Sequence, residues 1–205
     1  MKKALLWFSL LATALVLNAC SENALPSEDS SGSYDSYNTY DTQEPVKVVT
    51  SENVYDLGAT GDGKTDDSAA FSSEGEEWLL VPKGRYKIAK NIDVTRSLVF
   101  EAGAVLEVEA GISITFKGYI DAPDSYHIIK NGRIVMEKNN ICYPEWFGAV
   151  ADGKTDCTAA IQQAINCFPN GYGKIVFTGE KYLVTDTIKI RNGQDHLSLE
   201  GIVRH

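Results

Sequence analysis

One short phrase occurs twice in this chain. Residues 58–66 read GATGDGKTD and residues 148–156 read GAVADGKTD, each followed by a small Ala-rich stretch, DSAAF or CTAAI. Further along, Tyr86-x-Ile88, Ile92-x-Val94 and Leu98-x-Phe100 return as Tyr182-x-Val184, Ile188-x-Ile190 and Leu197-x-Leu199. A unit repeated on this scale is one supersecondary plan whose apolar face is buried by its neighbour, so the chain is expected to stack copies rather than fold around one unique core.

The plan has a local physical reading. Asp62-Gly63 and Asp152-Gly153 are turn pairs, because Asp bonds back to nearby amides and Gly admits left-handed backbone. Thr65 and Asp66, and likewise Thr155 and Asp156, stand where side-chain oxygens cap the open amides of a starting helix. In the second copy Ala160, Ile161, Ala164, Ile165 and Phe168 form one apolar face at helical spacing, which predicts a helix over 157–168 that Pro169-Asn170-Gly171 ends. The first copy is six residues shorter between helix and strand, and its helix is expected to be a single turn. IVF at 175–177 starts strands with alternating apolar residues.

A finer period runs through residues 97–118. Leu98, Leu106 and Ile114 are eight apart, as are Phe100, Val108 and Phe116, and EAG at 101–103 recurs at 109–111. Each octet is a short two-sided strand and a Gly-bearing corner. Three such sides make a coil of roughly two dozen residues, which is the geometry of a parallel β-helix. A meander of antiparallel strands leaves identical corners at a fixed interval without a cause.

Composition narrows the partners. The chain has 205 residues with 19 basic and 28 acidic side chains, a net charge of −9. With no Lys/Arg run it repels phosphate backbones, which argues against nucleic acid. Lys2 and Lys3 precede ALLWFSLLATALVLNA, an apolar run too short to span a bilayer comfortably and zoned like a secretory signal. Residues 1–19 are therefore expected to be removed. Leu17-Asn18-Ala19-Cys20 resembles the lipobox of bacterial lipoproteins, which implies acylation of Cys20, and Ser21 after it fits the outer-membrane pattern. Residues 20–46 are Ser-, Asp- and Tyr-rich with few aliphatic residues, and read as a disordered tether. Tyr34, Tyr37 and Tyr40 recur within it and suit a solvated spacer better than a sugar-stacking ladder.

Cys142, Cys157 and Cys167 remain, an odd number for an oxidising compartment, so at least one thiol stays free or pairs between chains. Cys157 and Cys167 lie ten residues apart on one expected helix, too far at about 1.5 Å per residue to bridge. Cys142 with Cys157 is the nearby alternative, which the sequence leaves open. The cysteine spacing is not of a metal-binding type.

PEWFGAVADGKTDCTAAIQQAIN (144–166), with the KIVF and G-x-x-Y-x-V strands after it, resembles the N-terminal signature of the pectate-lyase-like superfamily. NVYDLGATGDGKTDDSAAF through VPKGRYKI (53–88) resembles it again. That superfamily includes polygalacturonase-, rhamnogalacturonase- and epimerase-like proteins and phage tailspikes. The resemblance implies a mainly β fold, a right-handed parallel β-helix (solenoid) with short capping helices, divided into a first unit at 47–141 and the N-terminal part of a second at 142–205. The second copy stops just after the strand matching Leu98–Phe100, so the solenoid is expected to be incomplete at the C-terminus.

For chemistry the resemblance implies less. It places the chain among polysaccharide-degrading envelope proteins, a glycoside hydrolase or polysaccharide lyase if it belongs to a longer protein, and inactive by itself because the family's acids lie on later coils. A non-catalytic polysaccharide-binding or structural surface lipoprotein is the alternative. Polysaccharide is the expected partner, with the membrane reached through the N-terminal lipid, and no cofactor is implied. Asp62, Asp66 and Asp67 offer a calcium site or a glycosidase acid pair on paper, but their spacing is what turns and caps require. The second copy has Cys157 at the place of Asp67. His127, His196 and His205 lack the partners of a triad.

Overall fold

The computed structural model describes residues 52–75 and 78–202. Cys20, the expected signal segment, Tyr34, Tyr37 and Tyr40 of the expected tether, and His205 lie outside the described residues. The described residues lie within one compact unit. In chain order its elements are β1 (Asp62–Asp66), α1 (Ser68–Phe71), β2 (Leu79–Val81), β3 (Gly84–Ile88), β4 (Ile92–Val94), β5 (Leu98–Phe100), β6 (Ala104–Val108), β7 (Ser113–Phe116), β8 (Ile120–Asp121), β9 (Ile129–Lys130), β10 (Arg133–Met136) and β11 (Ile141–Cys142). A 3₁₀ turn at Pro144–Phe147 then leads to β12 (Asp152–Asp156), α2 (Thr158–Asn166), β13 (Gly173–Phe177), β14 (Lys181–Leu183) and β15 (Leu197–Gly201).

The fold is mainly β, with few helices and with every strand pair among the described residues parallel. Its sheets are open, in the orders β2-β5-β8, β1-β3-β6-β9, β4-β7-β10, β11-β13-β15 and β12-β14. From β2 to β10 the chain visits the first three sheets in strict rotation, an arrangement compatible with a β-helix. The octets explain why. Leu98, Leu106 and Ile114 fall on three different sheets, and each pairs with a like residue one circuit away: Leu79 with Leu98, Tyr86 with Leu106, Ile92 with Ile114. Apolar side chains thereby stack into buried ladders, which is where period-two strands stabilise a sheet. The two EAG corners turn through Gly103 and Gly111 at φ of 83° and 81°, a left-handed backbone that costs glycine least.

The outward positions form a second ladder of charge. Glu107 accepts Arg85 at 2.6 Å and Lys130 at 3.4 Å, Lys87 meets Glu109 at 2.8 Å, and Lys117 meets Asp93 at 2.6 Å. Exposed pairs of this kind add little energy singly, but like charges stacked in parallel register would oppose it.

The second copy repeats the plan and departs from it in two places. Helix α2 runs Thr158–Asn166, within the expected 157–168, and buries Ala160, Ile161, Ala164 and Ile165 in the common core. Ile188-x-Ile190, expected as a strand, is not one. Its counterpart β4 owes its hydrogen bonds to β7 on the next circuit, and no described strand lies there for Ile188–Ile190 to pair with. The same lack of cover appears in exposure. Val184, Ile190 and Leu199 are 43%, 55% and 46% exposed, whereas their first-copy counterparts Ile88, Val94 and Phe100 are buried under β6, β7 and β8.

Candidate functional site

The two DGKTD motifs are built alike. Asp62 Oδ1 accepts the amides of Lys64 and Thr65 at 2.7 and 2.8 Å, and its Oδ2 accepts the Thr65 hydroxyl. Asp152 does the same for Lys154 and Thr155 at 2.7 Å each. Gly63 and Gly153 follow at φ of 72° and 66°, so each motif begins with an Asp-anchored turn through left-handed glycine. Thr65 and Thr155 are thus engaged by these turns.

Asp66 and Asp156 end β1 and β12 and serve the helices. Asp66 Oδ1 accepts the Ser68 amide at 3.1 Å and a very short bond from the Ser68 hydroxyl. Asp156 Oδ1 accepts the Thr158 amide at 3.0 Å and hydroxyl at 2.5 Å, while its Oδ2 takes the Thr185 hydroxyl. Residues 67 and 157 are the N-caps by backbone position, and neither makes a side-chain cap bond. The capping carboxylate stands one residue earlier and reaches the first helical amide.

These bonds set the acidities. Thr65 and Lys64 amides bring the Asp62 carboxyl down to about 2, and the Thr158 hydroxyl and amide bring Asp156 to about 2. The Ser68 hydroxyl holds Asp66 well below the usual range, and the Thr155 and Lys154 amides lower Asp152. Donors that favour the charged form move a carboxyl away from the raised value a glycosidic general acid needs. The motif carboxylates are stabilised as anions. No group of three or more His, Cys, Asp or Glu able to hold a metal occurs among the described residues.

Asp67 is buried and has a different task. Its Oδ1 accepts the Thr60 amide at 2.7 Å and hydroxyl at 3.1 Å, and its Oδ2 the Gly61 amide at 3.3 Å. Of the histidines, His127 Nε2 lies 3.0 Å from the Ile129 carbonyl and His196 stacks on Tyr172.

Glu145 is a feature that sequence reasoning missed. Within PEWFGA it reads as a surface acid on a turn, yet it is buried. Its Oε1 accepts the Thr178 hydroxyl at 2.8 Å and a very short bond from the Tyr182 hydroxyl, and its Oε2 has no hydrogen-bond partner. Burial, and then the bond to Glu145, raise the Tyr182 phenol. In the first copy the counterpart Tyr86 donates instead to the Pro82 carbonyl and packs against Tyr55.

An open groove of about 730 Å³ lies beside α1 and runs across β4 and β7. Its lining includes Ala69, Asn91, Asp93, Thr95, Ser113 and Thr115. Asn91 Oδ1 holds the Ser113 amide at 2.8 Å, and Lys117 holds Asp93, keeping that carboxyl below its usual range. A smaller cleft of about 250 Å³ lies between β8 and β11, with Tyr119, Asp121, Asn139, Tyr143 and Trp146 on its walls. None of the motif residues Asp62, Gly63, Thr65, Asp152, Gly153, Thr155 or Asp156 lines either hollow. The sequence reading did not find the groove, because its residues come from successive circuits and share no motif.

No family model matches the chain, and no solved structure matches it at a significant level.

Proposed function

We propose that this chain is a right-handed parallel β-helix protein of the carbohydrate-active type, anchored in the bacterial cell envelope through acylated Cys20, and that it binds polysaccharide without cleaving it. The observation that carries the reading is the division of labour among polar groups. The groove beside α1 offers hydroxyl, amide and carboxylate side chains over a surface long enough for several sugar hydroxyls, as polysaccharide recognition requires. The carboxylates of the repeated motifs are meanwhile committed to turns and helix starts. Glycoside cleavage needs two carboxyl groups about 5–9.5 Å apart, one of them kept protonated. The groove is lined by two acids, Glu74 and Asp93, and Asp93 is tied to Lys117 and shifted the other way.

A second reading, the N-terminal portion of a longer glycoside hydrolase or polysaccharide lyase, is favoured by one observation. The apolar surface at Val184, Ile190 and Leu199 corresponds to surface that β6, β7 and β8 cover in the first copy. Further circuits there would bring acids of their own.

Calorimetric titration of the purified protein with a panel of neutral and acidic polysaccharides tests the first reading. Ala69 is an exposed helical residue on the groove wall, so Ala69→Trp fills the groove without touching the core. Binding weakened at least tenfold by this change supports the groove as the site. Binding that is unaffected places the site elsewhere, and binding to no polymer refutes the reading.

A further inference from the structure

Tyr172 is an exposed aromatic on a loop with little freedom. It stands between two glycines that pack too closely to be replaced. A Cβ on Gly171 would lie 2.3 Å from the Gly193 carbonyl oxygen, and one on Gly173 would lie 2.4 Å from the Phe168 ring. Buried Gln194 fastens the same loop, its side-chain amide donating to the Ile165 and Phe168 carbonyls at 3.0 Å each and its oxygen accepting the Arg191 amide at 2.9 Å. With its backbone fixed in this way, Tyr172 is left 70% exposed, and its ring stacks on His196 with centroids 4.9 Å apart and planes 19° from parallel. A tyrosine ring held still and backed by a second ring offers a ligand a broad surface and loses little side-chain entropy on binding.

The ring also walls a hollow of about 260 Å³, together with Val135, Glu137, Pro169 and Asn170. This hollow and the groove beside α1 lie on one face of one sheet. Asp93, Thr115 and Val135 are register partners across β4, β7 and β10; the first two line the groove and the third lines the hollow. Beyond β10 the next rung is the end of α2, whose Cys167 carbonyl accepts the Met136 amide at 3.0 Å and so sets the Tyr172 loop beside that strand. Two strand spacings separate groove from hollow, roughly 10 Å, a distance that one chain of a few sugar rings covers.

The charges along this face select among sugars. Glu74 and Asp93 line the groove and Glu137 lines the hollow, while Lys90, the lysine in the groove wall, lies 3.2 Å from Asp66. Lys117 stands beside the face, held by Asp93 at 2.6 Å, and Glu137 follows it on the next circuit, where the Glu137 amide donates to the Phe116 carbonyl at 2.9 Å. Arg133, at the other end of β10, lines neither hollow. Carboxylates accept sugar hydroxyls well and repel a ligand's carboxylate or sulfate.

We propose that the groove and the hollow form one track for an uncharged glycan, with Tyr172 as the stacking platform at its far end. The inference rests on the polysaccharide reading above and names the class of polymer and the residue that meets it. A C–H face of one sugar ring lies on the Tyr172 ring, and hydroxyls of its neighbours donate to the carboxylates between there and α1.

The test is calorimetric titration of the purified full chain, at low salt, with neutral polymers (galactan, glucomannan, hydroxyethylcellulose) and acidic ones (polygalacturonate, alginate, carboxymethylcellulose). The expected result is binding to at least one neutral polymer and at least about tenfold weaker binding to every acidic one. Tyr172→Ala should weaken the neutral interaction about tenfold, and Tyr172→Phe should leave it within about twofold, because the ring face and not the hydroxyl carries the contact. Thermal denaturation of both variants should match wild type, since the side chain is exposed. Acidic polymers binding as tightly as neutral ones would overturn the proposal, as would full binding by folded Tyr172→Ala. In either case binding that Ala69→Trp still weakens leaves the groove reading standing, whereas binding to no polymer refutes the groove and the track together.

Discussion

Asp67 and Cys157 stand at the same place in two copies of one motif, each at the N-cap of a helix and each closing the loop before it through the amide seven residues upstream. The preceding contacts match as well: the Asp67 amide donates to Lys87 in β3 and the Cys157 amide to Leu183 in β14, both at 2.8 Å. What differs is the strength of the closure. The carboxylate takes two backbone amides and a hydroxyl, whereas the thiol accepts one long bond and shares its proton between two carbonyls.

That difference predicts unequal costs. Asp67→Ala removes a buried carboxylate that accepts the amides of Thr60 and Gly61 in a part-exposed loop, and should destabilise by about 2 kcal/mol. Cys157→Ala removes weaker bonds and should cost about 1 kcal/mol. Urea denaturation followed by tryptophan fluorescence measures both. Equal losses would show that the two positions are not doing the same job with different chemistry.

The motif aspartates give the protein an acid limb with a defined window. A carboxyl whose folded pKa is depressed stabilises the fold above its unfolded pKa and loses that contribution as pH falls through the folded value. Asp62 and Asp156 go from the usual 3.8 to about 2, so their contribution is complete above about pH 4 and is lost between there and about pH 2. Asp62→Asn and Asp156→Asn keep the acceptor oxygen but remove the charge. Both should be less stable than wild type at pH 7, fall less steeply across that window and converge on wild type near pH 2. Denaturation midpoints at pH 7, 4, 3 and 2 are the measurement, and parallel curves would mean the charges are idle.

The circuits stack so closely at one corner that only glycine fits. A Cβ on Gly118 would stand 2.2 Å from the Arg96 carbonyl oxygen one circuit before it, with its carbonyl carbon at 2.4 Å. Gly111, one side earlier, has open space around it and only a left-handed backbone to satisfy, at φ of 81°. Gly118→Ala should therefore cost about 3 kcal/mol through overpacking against backbone, and Gly111→Ala about 1 kcal/mol. Thermal denaturation of the two variants compares them, and a smaller loss at 118 than at 111 would contradict the corner stacking.

How much of this was legible in the sequence depended on whether the signal was local. Leu98, Leu106 and Ile114 announce their strands because the alternation that buries them lies within a few residues, and the identical EAG corners fix the interval between sheets. Asp62 and Asp66 were legible as turn and helix-start residues for the same reason, since their partners are two or three positions away. Glu145 was not, because its partners Thr178 and Tyr182 come from the return of the chain after a whole helix. Ile188–Ile190 carries a strand's pattern without a strand's hydrogen bonds, because a parallel strand is completed by its neighbour on the next circuit.

We propose that this protein holds polysaccharide in its groove and leaves its aspartates to the fold. Reducing-end and unsaturated-product assays on the same polysaccharide panel used for binding test it most directly. The predicted result is measurable binding to at least one polymer, no product from any of them, and folded Asp66→Asn and Asp156→Asn variants that bind as wild type does. Turnover that disappears in either variant while the protein remains folded would contradict it, and would make the DGKTD carboxylates catalytic.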